Sequence, residues 1–257
     1  MGNLTTVKTL KINKEKRVGT VIIVVEGERD EYRLLKHILT EVLGYSYKKI
    51  QKNKLITDSY IGKENGSIFY VANTSNSNVN SIEKDESYLE RISEVIREEH
   101  RDIRYASIYY LWDRDRESND ATFIEKLLSD LFHAKGELDY SKRGLLLLSY
   151  PCLEVYGISN FDKKLWEKDF MSSEAAKESL KYSIKNINSN TLLRAAINMN
   201  NSLKEMNIIN YNVDEFKNTN LKIFKKEEEY YLKKNKYYMA LSLITIMFID
   251  LGIISEE

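Results

Sequence analysis

The 257-residue chain is poor in the side chains that carry sulfur or imidazole chemistry, with one cysteine and three histidines. The single cysteine, Cys152, excludes an intramolecular disulfide and supplies too little sulfur for a cysteine zinc cluster, so we expect a reduced, cytoplasmic setting. The histidines at positions 37, 100 and 133 do not have metal-ligand spacing. Zinc chemistry and histidine-based phosphodiester hydrolysis are therefore disfavoured.

Several catalytic and nucleotide-binding motifs are also missing. The sequence has no Gly-x-Ser-x-Gly elbow, no Walker A loop and no Gly-x-Gly-x-x-Gly fingerprint, which argues against serine hydrolysis and against nucleotide hydrolysis by this chain. The 39 Lys and Arg residues balance 39 Asp and Glu residues. Such a chain lacks the basic excess of a passive nucleic-acid coat, although local basic patches can still bind phosphates.

Long apolar runs are scarce, and only residues 238–254 raise the question of a membrane span. This segment is shorter than the roughly 20 residues needed to cross a bilayer, and Ser242, Thr245 and Asp250 interrupt it. We therefore predict that it forms a buried C-terminal helix and that the protein does not associate with a membrane.

What the sequence does contain is an alternation of strand and helix patterns. Strand patterns occupy residues 5–12, 20–25, 68–72, 107–111 and 145–149, and helical patterns occupy residues 31–43, 88–99 and 122–134. This alternation predicts an α/β fold with a mostly parallel sheet flanked by helices. Ligands of such sheets bind at the carboxyl ends of the strands.

The pattern changes near Pro151, the only proline. Beyond it the periodicity is helical, over residues 173–186, 191–206 and 221–249. We therefore predict an α/β catalytic core over residues 1–150 and a helical C-terminal region, packed on that core, over residues 151–257.

The second predicted strand ends abruptly in a carboxylate. It leads into Glu26 and Gly27, where glycine permits an unusual backbone angle, and Asp30 begins the next helix. Because Glu26 and Asp30 are four residues apart, we expect them to face the same cleft and to share a cation. The alternative is that acidic residues simply favour a helix N-terminus, which explains Asp30 and Glu31 but not Glu26.

The fourth predicted strand also ends in carboxylates, Asp113 and Asp115, with Ser118 close behind. Residues two apart in an extended chain lie on the same side. Hard oxygen ligands placed together are what Mg²⁺ prefers. The alternative is a solvated acidic loop that Arg114 and Arg116 neutralise. Together, the two strand ends predict a Mg²⁺ site for phosphoryl transfer.

A strand ending in Glu-Gly, followed by a later strand ending in Asp-x-Asp-x-x-Ser, resembles the toprim domain of topoisomerases, primases and related nucleases. By that match Glu26 is the toprim glutamate, Asp113 and Asp115 are the metal aspartates, and Ser118 is the trailing serine. The resemblance covers roughly residues 17–150 and implies a toprim, Rossmann-like core.

The segment 147–156 resembles the element with Pro, Cys and Glu that follows the core in toprim nucleases of the OLD and RloB-like kind. By that match Glu154 is a further metal-binding or orienting carboxylate. The alternative for Glu154 is an ordinary exposed glutamate at a helix start.

The overall plan, a toprim core followed by a helical region without an ATPase, is similar to the AriB family, the effectors of two-gene PARIS anti-phage systems. This resemblance implies a separately encoded ABC-type ATPase partner (AriA-like) and sequestration of the chain until phage infection. Release would then lead to toxic cleavage of host tRNA and abortive infection. A homodimer in the active state is left open.

Residue roles follow from the motifs and the resemblance together. Mg²⁺, or Mn²⁺ in its place, is expected to be held by Glu26, Asp30, Asp113 and Asp115. The catalytic residues are expected to be Glu26, Asp113, Asp115 and Glu154, with Glu26 as general base if one ion binds.

Nucleic-acid contacts are expected from two basic stretches, one at residues 47–54 and one shortly after Glu154. The candidates are Lys48, Lys49, Lys52, Lys54, Lys163 and Lys164. Tyrosines could supply stacking faces for unpaired bases. For residues 47–54 the alternative is a solvated loop whose charges face water.

Two further functions stay open at this point. One is cleavage of DNA, as in OLD-like nucleases, because nothing in these residues distinguishes a protein that recognises the ribose 2′-hydroxyl of RNA from one that binds DNA. The other is a toprim fold without catalysis, acting as a binding or regulatory subunit.

Overall fold

A computed structural model describes most of the chain. The described residues are 9–27, 29–52, 55–73, 93–94, 96–97, 105–114, 116, 120–135, 143–180, 184–209, 211–213 and 215–256. Several predicted features lie outside these ranges: Lys54, Asp115, Ser118, His100, most of the predicted helix at residues 88–99 and the start of the first predicted strand.

A mixed sheet with a parallel centre forms the middle of the described structure. Its strands run in the order β11-β8-β6-β2-β5-β4-β3, and β7 pairs with β8. They are β2 (Thr20–Val25), β3 (Ser46–Lys52), β4 (Leu55–Ile61), β5 (Ile68–Asn73), β6 (Ser107–Asp113), β7 (Phe132–His133), β8 (Gly144–Tyr150) and β11 (Leu241–Ser242). The four strands β8, β6, β2 and β5 are parallel to one another. The α/β prediction is confirmed.

The central strands are buried because their sequences are almost entirely apolar. Val21–Val25 in β2 and all seven residues of β8 are buried, which is typical of parallel strands covered by helices on both faces. One hydrophobic core contains Ile22 of β2 together with Phe216 and Ile246 from the C-terminal region.

Helices surround the sheet. They are α1 (Asp30–His37), α2 (Ala121–Asp130), α3 (Glu154–Ser159), α4 (Ser173–Ser179), α5 (Ser189–Glu205), α6 (Phe216–Lys233) and α7 (Ile244–Asp250), and α1 continues into a π-helical turn at Ile38–Val42. Local sequence fixes several starts: the side chain of Asp120 caps α2 by accepting a hydrogen bond from the Phe123 N–H, and Asn188 forms a capping box with Thr191 at α5.

The region after residue 150 contains strands as well as helices. β11 joins the central sheet beside β8, β9 (Asp169–Phe170) pairs with β10 (Tyr238–Met239), and β12 (Ile254–Glu256) pairs with β1 (Leu10–Ile12) near the other end of the chain. The predicted helix at residues 221–249 is therefore wrong as a single element. It breaks after Lys233 because Asn235 and Lys236 take positive φ angles.

Two other expectations need correction. The basic segment that begins at residue 47 is not a solvated loop where it is described, because Ser46–Lys52 (β3) pairs antiparallel with Leu55–Ile61 (β4) at the edge of the sheet. The predicted helix at residues 173–186 ends at Ser179, and a short 3-10 turn at Ile184–Asn186 follows later. Within the described residues, no helix has the length and apolar character needed to cross a membrane.

Candidate functional site

The carboxyl ends of three neighbouring parallel strands meet at one edge of the sheet. Val25 of β2 lies opposite Leu111 of β6, and Asp113 of β6 lies opposite Ser149 of β8. The residues that follow β2, β6 and β8 therefore leave the sheet side by side. This register brings Glu26, Asp113 and Glu154 to the same edge, although 128 positions separate the first from the last (154 minus 26).

Glu26 and Asp113 are in direct contact. The backbone N–H of Asp113 donates a hydrogen bond to Oε2 of Glu26 over 3.2 Å. Both side chains are partly buried. The predicted convergence of these two strand ends is thus found in the structure, at hydrogen-bond distance.

The Asp113 carboxylate is held by the segment after β8. The backbone N–H of Leu153 donates to Oδ1 of Asp113 over 2.8 Å. Burial raises the pKa of Asp113 well above its ordinary value, and the nearby charges of Glu26, Glu31 and Glu154 raise it further. Asp113 therefore lies at the centre of a group of like charges.

Glu31 belongs to this group, although the sequence patterns assigned it only to a helix start. The Gly27 N–H donates to Oε1 of Glu31 over 3.2 Å. Burial raises the pKa of Glu31, and the charges of Asp30 and Glu154 add to the increase. We call Glu26, Glu31, Asp113 and Glu154 the carboxylate cluster.

Gly27 is required for a different reason from the one expected. It is not among the glycines with positive φ, so the prediction of an unusual backbone angle is wrong. A Cβ at this position would instead lie 2.5 Å from Oε2 of Glu31. Glycine allows the Glu31 carboxylate to fold back against the end of β2.

Asp30 is directed differently from Glu31. Its side chain is 59% exposed and lies 3.7 Å from Arg33 in the same helix. The four-residue spacing from Glu26 does not place both on one helical face, because α1 begins only at Asp30. Asp30 influences the cluster through its charge, which raises the pKa of Glu31.

Glu154 is the first residue of α3, and its side chain is 14% exposed. It is therefore not an ordinary exposed glutamate. The Nζ of Lys177 lies 3.7 Å from its Oε1, and the charge of Glu154 is the main reason why the pKa of Lys177 is raised. Lys177 was not predicted as a site residue, and nothing in its local sequence points to this contact.

On the other side of β6, the next residue has a different environment. Arg114 is fully buried, and its Nε donates to Oε1 of Glu228 in α6 over 2.9 Å. Arg116 lies 3.2 Å from Oε2 of the same carboxylate. We call these three residues the arginine–glutamate network. The alternative of a solvated loop around Arg114 is wrong, because this side chain is a buried partner of α6.

The carboxylate cluster has the donor chemistry of a hard-cation site. It offers only oxygen ligands, which Mg²⁺ prefers, and three of its carboxylates are oriented by backbone N–H groups. Within the described residues, no three acidic, histidine or cysteine side chains are placed so that together they could hold a metal ion. The other predicted ligand, Asp115, lies outside the described residues.

The predicted nucleic-acid contacts are spread over the surface. Lys48 and Lys49 are exposed on the edge strand β3, which Lys52 ends. Lys163 and Lys164 are exposed in the turn after α3, where Lys164 lies 2.8 Å from Glu167. Among the described residues, we find no contact between the carboxylate cluster and either of these two groups of lysines.

The site is thus built mainly from strand ends and from the start of α3. Its acidic members were predicted from the sequence except for Glu31. No protein-family model matches the chain, and no curated protein or solved structure matches it.

Proposed function

We propose that this protein is a Mg²⁺-dependent endonuclease of the toprim class that cleaves RNA. The observation that carries the proposal is the contact between Glu26 and Asp113, which are 87 residues apart in the chain. They lie in a cluster where burial, and then the like charges of the neighbouring carboxylates, raise the pKa of Asp113. Folding that many carboxylates together is unfavourable unless a cation compensates them. Strong pKa perturbation of this kind is typical of functional sites.

The carboxylates would hold the ion, with Glu26 and Asp113 as its ligands, Glu154 beside them and Asp30 close by. Asp115 is the further ligand that the toprim resemblance implies. When bound, Mg²⁺ supplies Lewis-acid activation of the scissile phosphate and of the attacking hydroxyl. The Leu153 N–H keeps Asp113 in place.

The cation nearest to Glu154 has its own role in the proposal. Lys177 is a cation at neutral pH, and the charge of Glu154 raises its pKa further, so it can balance negative charge that develops on a phosphate. Glu26 serves as general base where one ion is bound.

The biological setting follows from the resemblance to the AriB family and belongs to the same proposal. The protein acts as the toxic effector of an anti-phage system, is kept inactive by a separate ABC-type ATPase, and cuts host tRNA on release in the cytoplasm. An ATPase reading frame beside the gene for this chain is the expected genomic arrangement. Co-expression of that ATPase should suppress the toxicity of this chain.

The direct test is cleavage by the purified protein with Mg²⁺ or Mn²⁺, using tRNA, single strands and duplex DNA side by side. Glu26→Gln should abolish cleavage while leaving the fold intact. A matched control is Glu205→Gln, which makes the same change at an exposed position near the end of α5 and should leave cleavage unchanged.

The outcomes separate the open functions. Cleavage of tRNA that depends on Glu26 supports the proposal. Preferential cleavage of DNA would instead support the alternative of an OLD-like DNA nuclease. Cleavage that survives Glu26→Gln rules this mechanism out. If the protein neither cleaves nor binds Mg²⁺ in calorimetry, the non-catalytic reading replaces it.

A further inference from the structure

A groove opens beside the carboxylate cluster. It lies between α1 on one side and α3, α4 and the turn Ile184–Asn186 on the other, with a volume of about 890 Å³. Leu153 and Glu154 line it, and they also belong to the site, because Leu153 holds Asp113 and Glu154 is part of the cluster. A molecule that occupies the groove therefore reaches the proposed reaction centre.

The groove combines an apolar lining with basic side chains. Leu34, Leu153 and Gly157 are buried apolar or small residues within it. Its cationic side chains are Arg33, Lys36, Lys177 and Lys185, which are exposed, and they exceed by one its three carboxylates, Asp30, Glu41 and Glu154. Apolar surface with a small excess of exposed cations matches a ligand with flat apolar groups and negative charges.

The cationic side chains of the groove differ in their contacts. Arg33 and Lys177 each lie 3.7 Å from a carboxylate of the groove, that of Asp30 and that of Glu154. Lys36 instead lies over the ring of Tyr47, with its Nζ 3.7 Å from the ring centroid. Tyr47 lies beside the groove and not in its lining, and its ring is 37% exposed although Lys36 covers part of it.

We propose that this groove binds an unpaired strand of nucleic acid, with its phosphates at Lys36 and Lys185 and its bases against the apolar lining and Tyr47. Positive grooves with aromatic faces are the usual way in which proteins hold single strands. A duplex keeps its bases stacked inside and would gain nothing from the apolar lining.

The volume supports a short strand. The groove is within the size range that encloses a drug-sized ligand, which corresponds to a few nucleotides and not to the width of a double helix. The inference rests on the proposed function and narrows it, because it selects loops and other unpaired segments of RNA as the place of cleavage.

The test measures binding without cleavage. Fluorescence anisotropy in EDTA compares a labelled RNA strand of about ten nucleotides with its duplex form. The variant Lys36→Glu/Lys185→Glu should bind the strand at least about tenfold more weakly and lower the salt-dependence slope by about 1.4, or about 0.7 for each lost phosphate contact. Lys204→Glu/Lys222→Glu makes the same charge change at exposed positions of α5 and α6 and should bind like the unaltered protein.

Two results would overturn the inference: equal weakening by both double variants, or a duplex that binds more tightly than the strand. Circular dichroism melts check folding, and Lys36→Gln/Lys185→Gln with Tyr47→Ala repeats the test with milder changes if charge reversal prevents folding. Groove-dependent binding without any cleavage in Mg²⁺ keeps the groove and ends the nuclease proposal. If cleavage in Mg²⁺ is unchanged in the groove variants, the nuclease proposal is kept and the groove proposal is overturned.

Discussion

Asp113 and Arg114 are neighbours in the chain, yet they lie in two regions with opposite charge balance. Asp113 belongs to the carboxylate cluster, where burial, and then the charges of Glu26, Glu31 and Glu154, raise its pKa. Arg114 faces α6, where Glu228 pairs with it at 2.9 Å. The two side chains diverge because consecutive residues leave a strand on opposite sides.

Structural charges differ from functional charges in whether an opposite charge within the fold compensates them. In the arginine–glutamate network a buried cation meets an anion, so the charges compensate each other within the fold. In the carboxylate cluster the charges repel each other, and burial makes the repulsion worse. An excess of partly buried charge of one sign is the better indication of a ligand that carries the opposite sign.

The largest expected effect is on catalysis. Asp113→Asn removes one charge of the cluster and should lower the cleavage rate roughly 100- to 1000-fold, the range expected for loss of one electrostatic contact in an active site. Its thermal unfolding midpoint in EDTA should stay the same or rise, because repulsion is relieved. Cleavage assays and melts on the same sample check both. A variant that cuts normally, or that unfolds, would remove the distinction between the two regions.

The network should respond in the opposite way. Glu228→Gln removes the negative charge that pairs with the buried Arg114 and should lower the free energy of unfolding by about 3 kcal/mol. Glu229→Gln changes the next residue, which is 66% exposed and pairs with Lys233 in the same helix, and should cost less than about 0.5 kcal/mol. Urea denaturation measures both. If the two variants were equally stable, the network would have no structural role.

The sequence predicted most of the carboxylate cluster but not the arginine–glutamate network. The ends of β2 and β6 were predictable because their apolar runs stop at acidic residues, Glu26 and Asp113. Glu154, which follows β8, was predicted from the resemblance of the segment 147–156. Glu31 was not, because an acidic residue in the first turn of a helix has an ordinary explanation, and only the tertiary fold shows its carboxylate against Gly27.

The arginine–glutamate network was equally hidden. Glu228 lies in a run of three glutamates, and Arg114 was read as an exposed neutralising charge. The hairpin β3–β4 was missed because lysines at Lys48, Lys49 and Lys52 resemble a solvated loop, while edge strands commonly carry such charges. Contacts over more than 100 residues, such as Arg114 with Glu228, have no local sequence signal.

The raised pKa of Asp113 should make the stability of the metal-free protein depend on pH. The folded pKa of Asp113 is raised, so between its ordinary value of about 3.9 and the raised value the folded protein binds more protons than the unfolded chain. Stability without metal should therefore fall as pH rises through this window, with a slope of at most about 1.4 kcal/mol per pH unit for this group. Glu31 adds a change of the same sign.

The measurement is urea denaturation in EDTA between about pH 5 and pH 8. Asp113→Asn should flatten the fall, whereas Glu229→Gln should not. A wild-type stability that rises over this range, or a slope that Asp113→Asn leaves unchanged, would contradict the assignment of repulsion to the cluster.

The smallest effect is expected at Gly27. In Gly27→Ala the new Cβ would displace the Glu31 carboxylate, which is the end of a flexible side chain, so stability should change by less than about 1 kcal/mol. Cleavage should fall by about tenfold, in line with loss of an orienting contact near a metal. Gly66→Ala is not a suitable control because Gly66 has a positive φ, so Ala175→Gly in α4 can serve as a peripheral change. Full activity in Gly27→Ala would show that the position of Glu31 does not matter.

The most direct test of the carboxylate cluster as a divalent-cation site is Mg²⁺ titration by isothermal calorimetry at neutral pH, on the wild type, Asp113→Asn and Glu229→Gln. The wild type and Glu229→Gln should bind Mg²⁺ with the same affinity, and Asp113→Asn should show no saturable binding. Equal Mg²⁺ binding by Asp113→Asn and the wild type would contradict the account.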